Sequence, residues 1–471
     1  MKRKGKKGEK PLRVLLPVHV FFPGHFYGTE TYTLELARSL RNLGHEAVVL
    51  TAVPWGEEGP GELLSTYDYE GFPVHVIDLN GMPHSRFKDT YYRPELKPLF
   101  SRVLDQVRPD VVHVTHLINH TGSLLEAVGE SGLPAVATLT DFFGFCFNNK
   151  LEGHDGSLCL GPDRFSSNCL ACYMRRAEGY PLKRAIGPWI HRDPFVRGLS
   201  RVLPFLIRVP GLRRGALAGH VLDVTARKNL LRHLYGTYEA LIAPTEFLHR
   251  AYRENGFYPE RLRKIRFGIN LDLVRGHDRP REAQNGAVRF GYIGQMTAHK
   301  GVDLLVRAFG NLGARNASLV LYGPGDQDRP YMEDLRRLAA GVKGIEFRDP
   351  FPRERLAEKL SGLDVLVIPS RWYENSPLVL LYALATRTPV VVTDVEGMNE
   401  FVRYGENGFT FRKNDLGHLT SILGKFTGDP RWVGILSRNA AWGRDGAAHA
   451  RDVLSVYEEV LASRPPRRAS P

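Results

Sequence analysis

The 471-residue sequence contains no run approaching the ~20 consecutive apolar residues that a helix needs to cross a bilayer, which argues against a spanning protein. A convincing secretory leader is missing too. The basic start MKRKGKKGEK is followed by PLRVLLPVHVFFPG, but His19 interrupts the apolar part and no small-residue cleavage site follows. A flexible basic arm, 1–10, leading into a first strand is expected, and with it a cytoplasmic location. Cysteine is scarce: four residues, all between positions 146 and 172. No nucleic-acid-reading motif accompanies the positive charge, so DNA and RNA are not the expected partners. What is present is ordinary for a soluble globular chain, with 43% hydrophobic and 24% charged residues and length enough for two or three domains.

The formal net charge of +13 is only partly explained by the termini. Lys2, Arg3, Lys4, Lys6, Lys7 and Lys10 crowd the start, and Arg464, Arg467 and Arg468 lie at or in a proline-rich tail, 465–471. A second basic stretch runs from Arg175 to Arg232, where Arg192, Arg197, Arg201 and Arg208 alternate with Trp189, Phe195, Phe205 and Leu206. Such a mixture suits peripheral contact with an anionic membrane or a pyrophosphate-bearing lipid acceptor, and equally a solvated face over ordinary helices.

The most informative stretch is DVLVIPSRWYENSPLVLLYALATRTPVVVTDVEGMNE, Asp364 to Glu400. Asp364 to Ile368 is short and apolar, as in a strand buried on both faces. Ser376 and Pro377 predict a helix start, cap then proline, and Leu378, Leu381, Tyr382 and Ala385 follow at helical spacing. Thr388-Pro389 ends the helix before a second apolar run, Val390 to Thr393. In a strand-helix-strand unit of this kind an anion sits beyond the strand ends, on the helix amides. Glu374, just before the helix, is placed to meet what that anion carries.

This stretch resembles the retaining glycosyltransferases of family 4, whose signature here reads E-N-S-P-L-V-L-L-E-A-L-A. The resemblance implies an α/β chain of the GT-B fold, two Rossmann-like, doubly wound domains facing across a cleft. Glu374 matches the glutamate that contacts the donor sugar, with Asn375, Ser376 and the amides of Leu378 and Val379 beside it. Tyr382 stands where the family has a second glutamate for the ribose, offering one neutral oxygen in place of a carboxylate. Gly294-Gln295 and Lys300-Gly301 match Gly-Arg/Gln-x4-Lys-Gly, whose basic side chains neutralise the nucleotide diphosphate. Phe351 is a stacking candidate for the base. In the first domain Gly28 falls in the glycine loop facing the donor, and Thr140-Asp141 replaces the family's His-Asp beside the reacting sugar. His116 and His120 are further candidates near a strand end, although histidines so placed are more often structural.

Taken in order, the first domain is expected over 11–270 with a cysteine-containing insertion at 143–220. A linker over 271–287 leads to a second domain at 288–440, and a helix at 441–464 is expected to pack back on the first. The cysteines read C-x12-C-x9-C-x2-C, namely Cys146, Cys159, Cys169 and Cys172. The closing C-x2-C lets two thiolates reach one ion, so structural zinc is expected, with an iron–sulfur cluster, two disulfides or four free thiols as alternatives. Similar cysteine loops occur in some family 4 relatives.

The function implied by the resemblance is transfer of a sugar, with retention, from a UDP- or GDP-sugar to a hydroxyl of a glycan or lipid-linked acceptor. Surface polysaccharide or glycolipid synthesis is the expected setting. Glu374, Lys300, Thr140 and Asp141 are the expected catalytic group, and no catalytic metal is expected. The alternative is a catalytically weak sugar-nucleotide-binding homologue serving as a partner subunit. Oligomeric state is not readable.

Overall fold

Runs of Val, Ile, Leu and Ala separated by amphipathic segments give two parallel sheets sandwiched by helices. The computed structural model describes residues 10–464 apart from 177–192, 208, 210–215, 279, 281 and 314. The basic arm before Lys10, the tail and part of the basic stretch, Lys183, Arg184, Trp189, Arg192, Arg208, Arg213 and Arg214 included, lie outside the described residues. Two units emerge. One comprises residues up to 244, 248–266 and 447 onward; the other comprises 245–247 and 267–446.

The first unit opens with β1 (Arg13–Pro17), α1 (Gly28–Asn42), β2 (Glu46–Val53), β3 (Leu64–Tyr69) and β4 (Phe72–Asp78). Next come α2 (Lys97–Val107), β5 (Val111–Val114), α3 (Thr121–Ser131), β6 (Ala135–Thr138), α4 (Ser167–Arg176), α5 (Asp193–Leu206) and α6 (Ala216–Leu234). β7 (Ala240–Ala243), α7 (Glu246–Glu254) and β8 (Leu262–Lys264) complete an eight-stranded sheet ordered β3-β4-β2-β1-β5-β6-β7-β8. All neighbours are parallel except β3 and β4, an antiparallel hairpin turned at Glu70 and Gly71, both at positive φ. That hairpin adds an edge strand to the Val74–Leu79 strand expected from sequence.

The second unit runs β9 (Val288–Ile293), α8 (Val302–Leu312), β10 (Ala317–Tyr322), α9 (Arg329–Ala339), β11 (Ile345–Arg348), α10 (Leu356–Ser361) and β12 (Val365–Ile368). It closes with α11 (Leu378–Ala385), β13 (Val390–Thr393), β14 (Gly408–Phe411), α12 (Leu416–Gly428) and α13 (Arg431–Asn439). Its sheet, β11-β10-β9-β12-β13-β14, is parallel throughout. The inner strands β12 and β13 are buried on both faces, as the four-residue runs VLVI and VVVT require, whereas the edge strand β11 alternates half-buried and exposed residues.

One boundary differs from expectation. The stretch 271–287, loop-like in composition, belongs to the second unit, which begins at Phe267. Asn270 caps a short turn by accepting from the Asp272 amide, and Val274 is buried, so this segment is packed instead of hanging free. The last helix, α14 (Gly446–Ala462), is part of the first unit from Ala447 on.

What fastens α14 is a buried polar chain. Tyr457 shares a 2.5 Å hydrogen bond with His113 Nδ1 on β5, and His113 Nε2 meets Thr138 Oγ1 at 2.8 Å. Tyr32 joins Thr138 at 2.9 Å and His449 at 3.1 Å. Burial drives His113 down to about 3 and His120 down to about 4, and, with like charges nearby, holds His19 well below its usual value. These rings are neutral in the fold but protonate freely near 6.5 once unfolded, so their stabilisation is complete above 6.5 and is lost as pH falls toward the folded values. At pH 5 His113 and His120 each cost about 2 kcal/mol. Urea unfolding of the first unit should therefore shift to lower denaturant between pH 7.5 and pH 5, and an unchanged midpoint would refute the neutral-histidine account.

Candidate functional site

In the second unit the strand order reverses at β9, which has β10 on one side and β12 on the other. Ligands of doubly wound sheets sit beyond the carboxyl ends at such a point. The loops leaving these two strands are 294–301 and 369–377, and they carry the residues picked out by sequence.

Lys300 Nζ lies 2.7 Å from Glu374 Oε1, with the side chains 19% and 11% exposed. The same oxygen accepts from Ser370 Oγ at 2.5 Å and Trp372 Nε1 at 2.9 Å. Three donors thus converge on Oε1, and among the described residues none reaches Oε2. Burial alone pushes the Glu374 carboxyl up, but the Lys300 charge and these hydrogen bonds outweigh it and hold the group below its ordinary value. Lys300 also sits 5.0 Å over the Trp372 ring, which packs on His299 at 4.4 Å. Ser370 and Trp372 were not among the residues expected from sequence, although both lie in the loop that the β12 run predicts.

The backbone makes this meeting possible. A Cβ on Gly301 would come within 2.1 Å of the Pro369 carbonyl oxygen, and one on Gly397 within 1.8 Å of the Glu374 oxygen. Both glycines also take left-handed φ, +69° and +81°, where a side chain is strained. Ser376 departs from the expected cap. It adopts φ +51° with its hydroxyl buried and without a hydrogen-bond partner, Pro377 takes the cap position, and α11 begins one residue later at Leu378. Pro377 has no amide hydrogen to offer, so the first-turn donors are the amides of Leu378 and Val379, which lack a carbonyl four residues back within the helix. A strained residue with an idle buried hydroxyl beside such donors is typical of a ligand site.

Gln295 and Gly294 lie at the start of the β9 loop, where the Gln295 carbonyl accepts from Tyr292 at 2.7 Å. Phe351 is half-buried, edge-on to Tyr322 at 5.2 Å. Tyr382 is only 1% exposed, and its hydroxyl accepts from the Asn270 amide at 3.1 Å and from Arg353 Nη2 at 2.9 Å.

The first unit repeats the arrangement. Its strand order reverses at β1, between β2 and β5. His19, after β1, contacts Glu30 Oε1 at 3.2 Å, and His116, after β5, contacts Asp141 Oδ2 at 3.1 Å. The two imidazoles pack at 4.1 Å. Two histidine–carboxylate pairs are therefore joined ring to ring, and sequence reading had singled out only His116 and Asp141 of the four. Burial raises the Glu30 carboxyl, its own backbone and the histidines opposing. Gly28 opens α1 in free space, with nothing within 4 Å of a built Cβ. Thr140 turns inward instead, donating to the Thr115 carbonyl at 2.7 Å. His120 Nε2 donates to the Val18 carbonyl, 2.8 Å away, and the ring is wholly buried, a structural placement.

The cysteine loop does not assemble the tetrahedral site that its spacing predicts. All four thiols are free, and among the described residues no group of three or more His, Cys, Asp or Glu is disposed to hold a metal ion. Three of the sulfurs hydrogen-bond to their own loop: Cys146 with Asn148 Oδ1 at 2.8 Å, Cys159 with the Gly161 amide at 3.3 Å, Cys172 with the Glu152 carbonyl at 3.8 Å. Burial pushes Cys146 and Cys169 up and Cys172 up to about 12, and the nearby thiols add to the rise, so the four cysteines lie close to one another as neutral thiols.

Comparison with known proteins follows the same division. Residues 26–152 match the family model described as Glycosyltransferase Family 4, and residues 287–427 match Glycosyl transferases group 1. The D-inositol 3-phosphate glycosyltransferase of Streptomyces griseus is 33% identical over 229 residues, 41% of this chain and 48% of that protein. A glycogen synthase of Halorhodospira halophila is 32% identical over 189 residues, 37% and 38% of the two chains. The chain spans about half the length of the first of these curated relatives and less of the second. Among solved structures, sucrose-phosphate synthase from Thermosynechococcus elongatus superposes with a TM-score of 0.63 at 17% identity, over 96% of this chain and 100% of that one. Anabaena HepE in complex with UDP and glucose gives 0.60 at 15%, over 95% and 100%. At such identities the likeness concerns the fold. The first unit thus carries a glycosyltransferase family 4 domain and the second a glycosyl transferases group 1 domain, on a fold of the GT-B type.

Proposed function

We propose that the protein is a retaining glycosyltransferase that moves a sugar from a UDP- or GDP-sugar to a hydroxyl of a glycan or lipid-linked acceptor. The observation that carries this reading is the Lys300–Glu374 pair at the β9/β12 switch point, beside the unpaired first-turn amides of α11. In this reading the Lys300 ammonium and the amides of Leu378 and Val379 hold the diphosphate and take up the charge that grows as it departs. Glu374 Oε2, the oxygen without a protein donor, accepts sugar hydroxyls, and Asn375 and Ser376 add contacts. The acceptor hydroxyl attacks on the face the diphosphate leaves, which retains the anomeric configuration. The His116–Asp141 pair orients the reacting region of the first unit in place of the histidine that Thr140 lacks. Similar structures support the donor and setting: HepE forms a complex with UDP-glucose, and WaaG is a glycosyltransferase involved in lipopolysaccharide biosynthesis.

A cytoplasmic enzyme touching an anionic membrane completes the proposal. Among the described residues no helix is long and apolar enough to cross a membrane. α5 buries Val196, Ser200 and Leu203 at its inner side, yet Phe195, Val202, Phe205 and Leu206 are exposed on the outer side with Arg197 and Arg201. A helix apolar on both sides and basic between them favours a peripheral contact.

Two measurements test the reading. Lys300→Ala should weaken binding of the nucleoside diphosphate and of the donor alike and lower kcat/KM about 100-fold. Glu374→Gln should depress turnover while nucleoside diphosphate affinity changes by less than about threefold, because its contact is with the sugar. Unchanged diphosphate affinity in Lys300→Ala would remove the role given to that ammonium. A panel of UDP- and GDP-sugars with glycan and lipid-linked acceptors should reveal turnover. Binding with neither transfer nor donor hydrolysis would favour the sugar-nucleotide-binding partner subunit instead.

A further inference from the structure

A cavity of about 680 Å³ in the first unit is walled by the cysteine loop at 162–166, the end of α5 and one side of α6. Part of its lining is apolar and uncovered. Phe165 and Phe205 meet edge to face at 5.3 Å and are each 46% exposed, with Leu222 at 41%. Three large apolar side chains left to water around one hollow mark a place where an apolar group docks.

The rest of the lining is basic. Lys228 and Arg232 stand one turn apart on α6, a spacing at which like charges repel, and Arg164 comes from the loop. None of the three makes an ion pair among the described residues. Lys228 is half-buried and makes one hydrogen bond there, donating to Asn255 Oδ1 at 3.1 Å. Asn255 is turned for this by its own donations to the Leu160 and Ala251 carbonyls, at 3.0 and 2.9 Å. Arg232 is exposed. Asp163, the acidic residue of the lining, is occupied within its loop, accepting from the amides of Phe165, Ser167 and Asn168 and from Ser167 Oγ. Burial lowers the Lys228 ammonium, the Cys169 thiol opposing and the Arg232 charge adding to the fall. An anion between the two cations would offset both the burial and the repulsion.

Cations without carboxylate partners, set beside uncovered rings, are complementary to a molecule with an anionic head and an apolar body. The volume admits such a head with the first carbons of its chains. Phe205 belongs both to this lining and to the exposed side of α5, so a bilayer that meets that side also meets the cavity. We infer that the cavity is a headgroup site for an anionic phospholipid, its phosphate held between Lys228 and Arg232 and its first acyl carbons against Phe165, Phe205 and Leu222. The inference deepens the membrane contact of the proposed function and rests on that reading only for the bilayer as the source of the lipid. No step of sugar transfer enters it.

The test uses the full chain and dihexanoyl phosphatidylglycerol kept below its micelle concentration, with binding followed by calorimetry. The parent should bind it at one saturable site, and dihexanoyl phosphatidylcholine, with the same chains and no net charge, at least about tenfold more weakly. Lys228→Gln/Arg232→Gln should lower the affinity about 30-fold, while Arg102→Gln/Arg108→Gln, the same charge change on α2 and at its end, should alter it less than about threefold. Leu222→Ser, at an exposed position, should lower it about fivefold through the lost acyl contact. No saturable binding by the parent, equal affinity for the two lipids, or equal losses in the two double variants overturns the site. Displacement of the lipid by an equal concentration of inorganic phosphate or of an acidic peptide overturns the lipid assignment. Flotation with vesicles of equimolar phosphatidylcholine and phosphatidylglycerol tests the membrane contact separately. A parent that floats, and floats less as Lys228→Gln/Arg232→Gln, supports the bilayer as the source. A parent that binds the short-chain lipid yet does not float keeps the headgroup site and loses the membrane reading.

Discussion

A lysine ammonium held 2.7 Å from a mostly buried carboxylate is the interaction on which the second unit's site depends. Glu374 could not stay ionised in so dry a place unaided, because burial raises its pKa and favours the neutral acid. Lys300, Ser370 and Trp372 reverse that preference, and by doing so they join the loop after β9 to the loop after β12. Both glycines that allow the approach, Gly301 and Gly397, have backbone oxygens where a side chain would be. The ion pair is thus a product of chain geometry as much as of charge. It fixes one carboxylate oxygen and leaves the other, which is the condition for a group that positions a substrate without being consumed by its own scaffold.

How much of this was legible beforehand depended on distance along the chain. The β9 and β12 runs, the loops after them, and Lys300 and Glu374 could be read because each signal is local: an apolar run, a glycine turn, a helix start. The two-sheet architecture followed from the same alternation. Tyr382 could not be placed, because the groups that claim its hydroxyl, Arg353 and Asn270, stand 29 and 112 residues away. Ser376 looked like a helix cap from its neighbours, yet the close pass of Gly397 over Glu374 pulls it into left-handed backbone. The β3 hairpin was overlooked because its outer strand, LSTYDY, is a half-exposed edge with few apolar residues. Cysteine spacing misled for a similar reason. C-x2-C reports what two thiolates on one turn can reach, but not that Asn148, Gly161 and Glu152 occupy the sulfurs instead.

The buried charges of the two units present opposite solutions to one problem. Glu374 has its countercharge built in, so its site is preorganised before any ligand arrives. Arg227 has its countercharge withheld, because Arg86 outcompetes it for Asp223 although Asp223 is the better placed by helix geometry. A structural role for Arg227 would be served by the reverse pairing, with the more exposed Arg86 left to water. The chain instead pairs the surface arginine with a buried carboxylate and leaves the interior arginine to the Phe143 carbonyl and to the faces of the Phe143 and Tyr91 rings.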